Sequence, residues 1–408
     1  MTADRIVTGA GPGTGPDGGP GGGSSGGPSG GGPDLVRVAL VGLGWAGRSI
    51  WLPRLNEHPR YRVAALVDPD PAARATAVSR MGVAAPEPAS LATVEDLDPG
   101  AVDLAVVAVP NHLHSPVAVR LLSRGVPVFL EKPVCLSVAE ADRLAEAERE
   151  GGAVLLAGSA ARHRADVRAL LGLAGELGPI RHVDLAWVRA RGVPGAGGWF
   201  TRREHAGGGA LVDLGWHLLD TVGPVLGPVA FEQVVGTVSA DFVNNGSRRA
   251  SWRDGEGEDG GGGGALDGDV EDTARGFLVT DGGVSVSLRT SWASHELRDI
   301  TAITLEGGAG TASLRCTFGF STNRQKASEL TRTRFGVTVP VPVPVEPVGI
   351  EYTRQLDQLP ALLADPASRG AAIGQARRMI EAIGRLYASA RGAGRAAAAA
   401  GAGAGHGR

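Results

Sequence analysis

Lysine is almost missing from this chain. Of its 40 basic residues only two, Lys132 and Lys326, are lysine, and the other 38 are arginine. Arginine therefore stands wherever a plain positive charge suffices, and a lysine that persists is a candidate for what arginine cannot do: lower its pKa and exchange a proton. Cysteine is scarce as well. Cys135 and Cys316 lie far apart and form no Cys-x-x-Cys pair, which excludes a disulfide framework and fits a reducing cytoplasm. No apolar run nears the ~20 residues of a membrane helix. Met1–Val7 has neither an apolar leader core nor twin arginine, so a cytoplasmic protein without membrane association is expected. The net charge is −3 and no basic run occurs, which leaves no electrostatic footprint for nucleic acid.

What is present is length, glycine and alternation. A chain of 408 residues predicts two domains. Residues 1–33 hold 14 glycines between Gly9 and Gly32 and have almost nothing to bury, so disorder is expected there. From Leu35 short apolar runs alternate with helical segments: Leu35–Val41, Tyr61–Val67, Val102–Val109, Val126–Leu130 and Ala153–Ala157 read as strands, with a short further unit within 83–97. Ser137 opens a helix with a capping box closed by Glu140. That pattern predicts a doubly wound α/β domain, a parallel Rossmann sheet over 34–157, with its ligand beyond the strands' C-terminal ends. After Gly158 the chain becomes strand-rich, and glycine turns at Asp281–Gly283 and Gly307–Gly308 suggest an antiparallel meander. An α+β domain over 158–389 with a mostly antiparallel sheet is expected. The acidic, eight-glycine stretch 254–269 reads as a disordered insertion and 390–408 as a disordered Ala/Gly tail. Val339–Val345, with proline at alternate positions, can only be an edge strand or polyproline II.

The chain is organised around Gly42-Leu-Gly44-Trp-Ala-Gly47, which follows the first strand and opens a helix. Gly42 would permit the tight turn, Gly44 a close approach to a pyrophosphate, and Gly47 close helix–strand packing. Asp68 ends the second strand, about 20 residues on, where a carboxylate accepts from the adenosine ribose hydroxyls of NAD and repels the 2′-phosphate of NADP. Arg74 and Arg80 fall a turn or more into the next helix and are poor phosphate clamps. The plainer role for Asp68 is a helix N-cap before Pro69 and Pro71.

Two loops at strand ends carry further polar residues. Pro110-Asn-His-Leu-His114 follows the fourth strand; Asn111 and His114 would face the nicotinamide ribose, or serve as a cap and a helix-start residue. His112 and His114 alternate without a further ligand cluster, so no metal site is predicted. Glu131-Lys132-Pro133 follows the fifth strand; the first two are either a surface ion pair or functional, and Pro133 makes a fixed, even cis, bond plausible. Further on, Gly207-Gly-Gly-Ala-Leu-Val-Asp213-Leu-Gly-Trp-His217 places an acid and an imidazole four residues apart on one helix face, with Asp220 three further on. Such a carboxylate can tune an imidazole as a general base; the alternative is an ordinary i,i+4 polar pair.

Together, Gly-Leu-Gly-Trp-Ala-Gly (42–47), Val-Asp-Pro-Asp (67–70), Val-Pro-Asn-His-Leu-His (109–114), Glu-Lys-Pro (131–133) and the Gly-Gly-Gly…Asp…His run (207–217) resemble the glucose–fructose oxidoreductase/inositol dehydrogenase/rhizopine catabolism (Gfo/Idh/MocA) family, over roughly Leu35 to Ala388. The resemblance implies a Rossmann domain followed by an α+β domain with a large open sheet, commonly the contact in homodimers or homotetramers. It implies a pyridine-nucleotide oxidoreductase acting on a carbinol or ketone of a sugar, inositol or polyol. Lys132 would bind the reacting oxygen, Asp213 would be the family's acid and His217 its base. Cofactor contacts would come from Gly42, Leu43, Gly44, Trp45, Ala46, Gly47, Asp68, Val109, Pro110, Asn111, His114, Glu131 and Lys132, with NAD favoured over NADP. The segment Ala161-Arg162-His163-Arg164 and the Gly/Asp insertion depart from the family's pattern, leaving Arg162 and Trp199 as substrate candidates. Two alternatives stay open: an NAD-dependent glycoside hydrolase working by transient oxidation, and a catalytically silent nucleotide-binding regulator on the same fold.

Overall fold

The computed structural model describes residues 35–82, 87–195, 198–245, 250 and 267–404. The expectations for residues 1–33 and for most of the 254–269 insertion lie outside them.

Strands β1 (Val36–Val41), β2 (Tyr61–Val67), β3 (Ala89–Leu91), β4 (Leu104–Val107), β5 (Val128–Leu130) and β6 (Leu155–Ala157) form one parallel sheet in the order β3-β2-β1-β4-β5-β6. The order reverses between β1 and β4, which opens a crevice at their C-terminal ends. Successive side chains of one strand enter different cores. Val38 and Leu40 pack with Trp51, Leu66 and Phe129, whereas Ala39 and Val41 join a core that continues into the second half of the chain. Burial on both faces explains why these strands read as unbroken apolar runs. A π-turn, Ala46–Trp51, leads into α1 (Leu52–Glu57); α2 (Pro71–Arg80), α3 (Asn111–Ser123) and α4 (Val138–Gly151) are the remaining crossovers.

The second half holds α5 (Ala165–Leu173), β7 (Ile180–Val188), α6 (Arg203–Ala206), a π-turn Leu211–Gly215 running into α7 (Trp216–Leu226), and β8 (Phe231–Ser239). Then come β9 (Thr273–Thr280), β10 (Ser285–Ser291), β11 (Ile300–Gly307), β12 (Gly310–Cys316), β13 (Glu329–Arg334) and β14 (Val337–Val341). These strands make an eight-stranded sheet, β14-β13-β12-β11-β7-β10-β9-β8, in which only β7 and β10 pair in parallel. Its inner face packs Val183, Leu185, Leu288 and Ile303 into the shared core. The proline-alternating stretch supplies the edge strand β14, where Pro340 lies opposite Thr331 and its missing N–H is harmless. Strand β13 was not foreseen, because Glu-Leu-Thr-Arg-Thr-Arg is half exposed and carries little apolar signal.

Two helices close the chain, α8 (Ile350–Ala364) and α9 (Ala371–Ala404). Leu356 and Leu359 of α8 return to the first sheet's core. The backbone of α9 stays helical to Ala404, well past the point at which a tail was expected to begin. Alanine's high helix propensity offsets the interspersed glycines.

Candidate active site

The three glycines of the first loop meet three different demands. Gly42 has φ +88°, and a Cβ there would sit 2.8 Å from the carbonyl of Ala108 and from the nitrogen of Val109. The β1 and β4 loops therefore touch through their backbones. A Cβ on Gly47 would lie 2.0 Å from the Gly42 oxygen, whereas one on Gly44 would meet nothing within 4 Å. Gly44 thus faces open space, as a loop that admits a pyrophosphate must. Trp45 is set edge-on against Phe320 (5.7 Å between ring centroids), and Ala46 begins the π-turn.

Asp68 serves this loop and is not the N-cap. One carboxylate oxygen accepts from Leu43 N (2.8 Å) and the other from Asp70 N (2.9 Å), while Asp70 itself caps α2 through Ala72 N. Each Asp68 oxygen keeps lone-pair capacity for a further donor. Arg74, set aside as too remote, folds back: its guanidinium donates to the Asp68 carbonyl and to Ser90 Oγ. A cation therefore stands beside the acid.

The loop after β4 corrects the sequence reading. Asn111 and His114 were expected to face the nicotinamide ribose; both are buried. Asn111 Nδ2 donates to Ala206 O (3.0 Å), and the His114 ring nitrogens lie 2.7 Å from Pro133 O and 2.8 Å from Val109 O. His114 therefore ties the loop after β4 to the loop after β5, and burial lowers its pKa to about 4. His112 turns away to stack on His205, with ring centroids 4.6 Å apart. Among the described residues no three potential ligands gather as a metal site would need.

Glu131 and Lys132 do not form a surface pair. Glu131 accepts from Trp51 Nε1 (2.8 Å) and from the backbone N–H of Lys132 (3.0 Å). Burial raises its pKa against the opposing pull of Lys132. The Lys132–Pro133 bond is cis. The Lys132 side chain crosses to the other half of the chain, where Nζ donates to Asp213 Oδ1 at 2.8 Å.

Asp213 is almost fully buried, and its oxygens are taken by Lys132 and by Trp292 Nε1 (2.9 Å), not by His217. Burial alone would raise its pKa; Lys132, Arg189 and His217 together hold the carboxyl well below the usual range. Arg189 Nη1 stands 4.0 Å from Asp213 Oδ2. His217, partly buried, packs on Trp187 at 5.4 Å. Burial, Lys132 and Arg189 bring its pKa down to about 3, against the upward pull of Asp213. Lys132, Asp213, His217 and Arg189 thus share one electrostatic environment, with a neutral imidazole in it.

The glycines before this helix admit its anchor. A Cβ on Gly209 would fall 1.7 Å from Glu271 O, and one on Gly208 would fall 2.1 Å from the Tyr387 hydroxyl. Glu271 Oε1 accepts from Gly209 N (3.0 Å), Leu211 N (3.0 Å) and Tyr387 OH (2.8 Å), satisfying the donors that a helix start leaves bare. The next residue, Asp272, accepts Trp292 N at its carbonyl (2.8 Å), so one dipeptide holds both the helix and the indole that grips Asp213. Glu271→Ala strands these buried donors and is expected to lower the unfolding free energy by about 2–4 kcal/mol, measured by urea denaturation.

The two substrate candidates part company. Arg162 is engaged by Asp220: Nη2 lies 2.7 Å from Oδ1 and Nε donates to the Asp220 carbonyl (2.8 Å). It links the β6 loop to α7, so the Nε and Nη2 it would offer a substrate are already engaged. Trp199 packs at a tilt on Phe200 (4.7 Å), which packs at a tilt on Trp292 (6.1 Å), so it sits two rings from Asp213. Arg189, Trp292, Glu271 and Tyr387 were missed. Arg189 lies 24 residues before Asp213, and the other three at least 58 after it, all outside its helix, and only a paired acid, Glu271-Asp272, before a strand hinted at any of them.

Comparisons with known proteins fit this arrangement. Residues 36–159 match the family described as "Oxidoreductase family, NAD-binding Rossmann fold", and residues 166–313 match the "GFO/IDH/MocA C-terminal domain". A protein of Amycolatopsis mediterranei (strain S699), provisionally named UDP-kanosamine synthase oxidoreductase subunit, is 59% identical over 355 residues, 87% of this chain and 96% of its own length. The D-glucoside 3-dehydrogenase of Escherichia coli (strain K12) is 31% identical over 204 residues, 48% of this chain and 55% of that protein. Aldose–aldose oxidoreductase from Caulobacter crescentus, solved with glycerol, superposes with a TM-score of 0.69 over 88% of this chain and 98% of that one; at 21% identity this speaks to fold alone.

Proposed function

The chain belongs to the Gfo/Idh/MocA family of NAD(P)-binding oxidoreductases, which act on sugar-like hydroxyl or keto groups, and from that premise we propose that it interconverts a secondary hydroxyl and a ketone on a UDP-linked hexose. The observation that carries the site is the 2.8 Å bond from Lys132 to Asp213, which joins the β5 loop to the helix bearing His217. The substrate class follows the relative named for UDP-kanosamine synthesis. The family match gives the hydrolase and the silent regulator no support.

Residues 34–157 would hold the dinucleotide and residues 158–389 the sugar. Gly42–Gly47 and Asp68 fit the dinucleotide: Gly44 leaves room for phosphates and Asp68 keeps acceptor capacity for ribose hydroxyls. Asp68 favours NAD, and Arg74 beside it is the residue that would soften that preference. When bound, the nicotinamide supplies the hydride acceptor or donor. His217, held neutral, takes the hydroxyl proton as the carbinol is oxidised. The Lys132 ammonium lies against the reacting oxygen and stabilises its developing negative charge. Asp213 holds that ammonium in place, and Trp292 keeps Asp213 in place.

Both cysteines are buried free thiols, and no helix among the described residues is long and apolar enough to cross a membrane, which supports a cytoplasmic setting. Homo-oligomerisation through the outer face of the eight-stranded sheet is supported by exposed Val235 and Phe277, which pair across β8 and β9 on that face.

The test offers UDP-glucose, UDP-galactose, free glucose, a glucoside and myo-inositol with NAD or NADP. Reduced cofactor is followed by absorbance, and deuterium exchange at the attacked carbon by mass spectrometry. Turnover or exchange on a UDP-sugar with NAD is expected. Activity confined to the free sugar, glucoside or inositol would overturn the substrate assignment.

A further inference from the structure

Asp213 has two cations beside it, and the reaction proposed above draws on one of them. Lys132 holds Oδ1 at 2.8 Å, and Arg189 stands 4.0 Å from Oδ2 on the opposite side. In the reaction proposed above, on which this inference rests, the lysine must engage the reacting oxygen. As it does so its charge is shared between that oxygen and Asp213. A buried carboxylate that loses its cation either takes up a proton or becomes a costly bare anion.

We propose that Arg189 is a positioning residue that keeps Asp213 ionised from the Oδ2 side and so leaves Lys132 able to serve the substrate. Arginine suits that role because its guanidinium keeps its proton whatever the lysine does. The position is built. Arg189 follows the last residue of β7; its backbone N–H donates to Ser291 O (2.9 Å) and its carbonyl accepts from Ser294 Oγ (3.0 Å). The guanidinium lies over the Trp187 indole, 5.2 Å from the ring centroid, with the His217 imidazole on that same indole. Gly192 makes room for it: a Cβ there would lie 2.3 Å from Arg189 Cδ. The side chain is only 12% exposed, so water screens its charge weakly. The charged and titratable groups acting on Asp213 and His217 include Lys132, Arg189 and each other, and the Asp213 charge in turn acts on the Tyr352 hydroxyl. Removing the guanidinium therefore makes both groups easier to protonate.

Arg189→Met is expected to lower kcat by roughly 10–100-fold, to leave NADH affinity unchanged in a fluorescence titration, and to move the acid limb of kcat toward higher pH. Arg189→Lys, which restores a charge without the fork, should recover part of kcat and most of the native pH profile. Native kcat with a native pH profile in Arg189→Met would overturn the proposal. Lys132→Met, run alongside, separates the two ideas. Loss of activity there with a native Arg189→Met sinks this inference alone, whereas activity in Lys132→Met sinks the site assignment beneath it. If thermal melting shows Arg189→Met unfolded, Gly192→Ala displaces the guanidinium while keeping its charge. The same limb shift is then expected, and its absence with native kcat would overturn the proposal.

Discussion

Lys132→Met is expected to lower kcat by roughly 1,000-fold while NADH still binds with native affinity. The two readouts separate because the side chain lies at the junction and the nucleotide loop does not depend on it. Gly42 is positioned by backbone contacts with Ala108 and Val109, Gly47 against Gly42, and Asp68 by Leu43 and Asp70. Methionine keeps the stem's bulk but removes the one charge placed to meet a developing alkoxide. Lys132→Arg is the sharper arm. This chain uses arginine at 38 of 40 basic positions, and if a fixed positive charge were all the site required, arginine would serve. We expect it to leave the rate within tenfold of Lys132→Met, because a planar, longer guanidinium does not fit a point contact made for an ammonium. Single-turnover kinetics with deuterated substrate measure both variants. Near-native turnover in Lys132→Arg would reduce the lysine to a simple counter-ion.

The same residue shows how far the sequence could be read. Lys132 stood out by composition and by its place at the end of an apolar strand, and the three glycines by their spacing. All four did what local chemistry demanded, because a turn, a strand end and a helix start are decided within a few neighbours. Asp213 and His217 were found by their i,i+4 spacing, and Asp213 does pull the His217 pKa upward, but the carboxylate's hydrogen bonds go elsewhere. The carboxylate's partners are Lys132 and Trp292, 81 and 79 residues away, and no local periodicity reports such a contact. Asn111 and His114 failed for the opposite reason. They sit where a cofactor-facing residue would sit, yet Ala206 O and Pro133 O, brought in by folding, claim their polar atoms first. Arg162 looked like a substrate hook because its partner, Asp220, lies 58 residues on and had been read only as part of the helix's polar face. The fold itself was more legible than the site. Strand order follows from apolar runs and crossover helices, whereas half-exposed β13 left no such trace.

His217→Asn should abolish measurable turnover to about the same degree as Lys132→Met, and its acid stability should report why. In the folded chain the imidazole's pKa is down at about 3, through burial first and then Lys132 and Arg189. In the unfolded chain it returns to about 6.5. Between those values the unfolded state carries a proton that the folded state refuses, so stability is complete above the upper value and falls as pH drops toward the lower one. His114 and His163, both lowered to about 4 mainly by burial, add slopes of the same sign. Asp213, held low, adds its own slope at still lower pH. The neighbouring histidines act alike in native enzyme and variant, so the difference between the two isolates His217. Urea denaturation at about pH 7.5 and about pH 4.5 should show the native enzyme losing roughly 2 kcal/mol more than His217→Asn over that interval. The activity counterpart is an acid limb of kcat/KM with no break near the pKa of a free imidazole. Equal acid losses in the two proteins, together with a break near about pH 6.5, would mean that the folded site leaves the imidazole at its ordinary pKa, and the burial-held neutral form would be overturned.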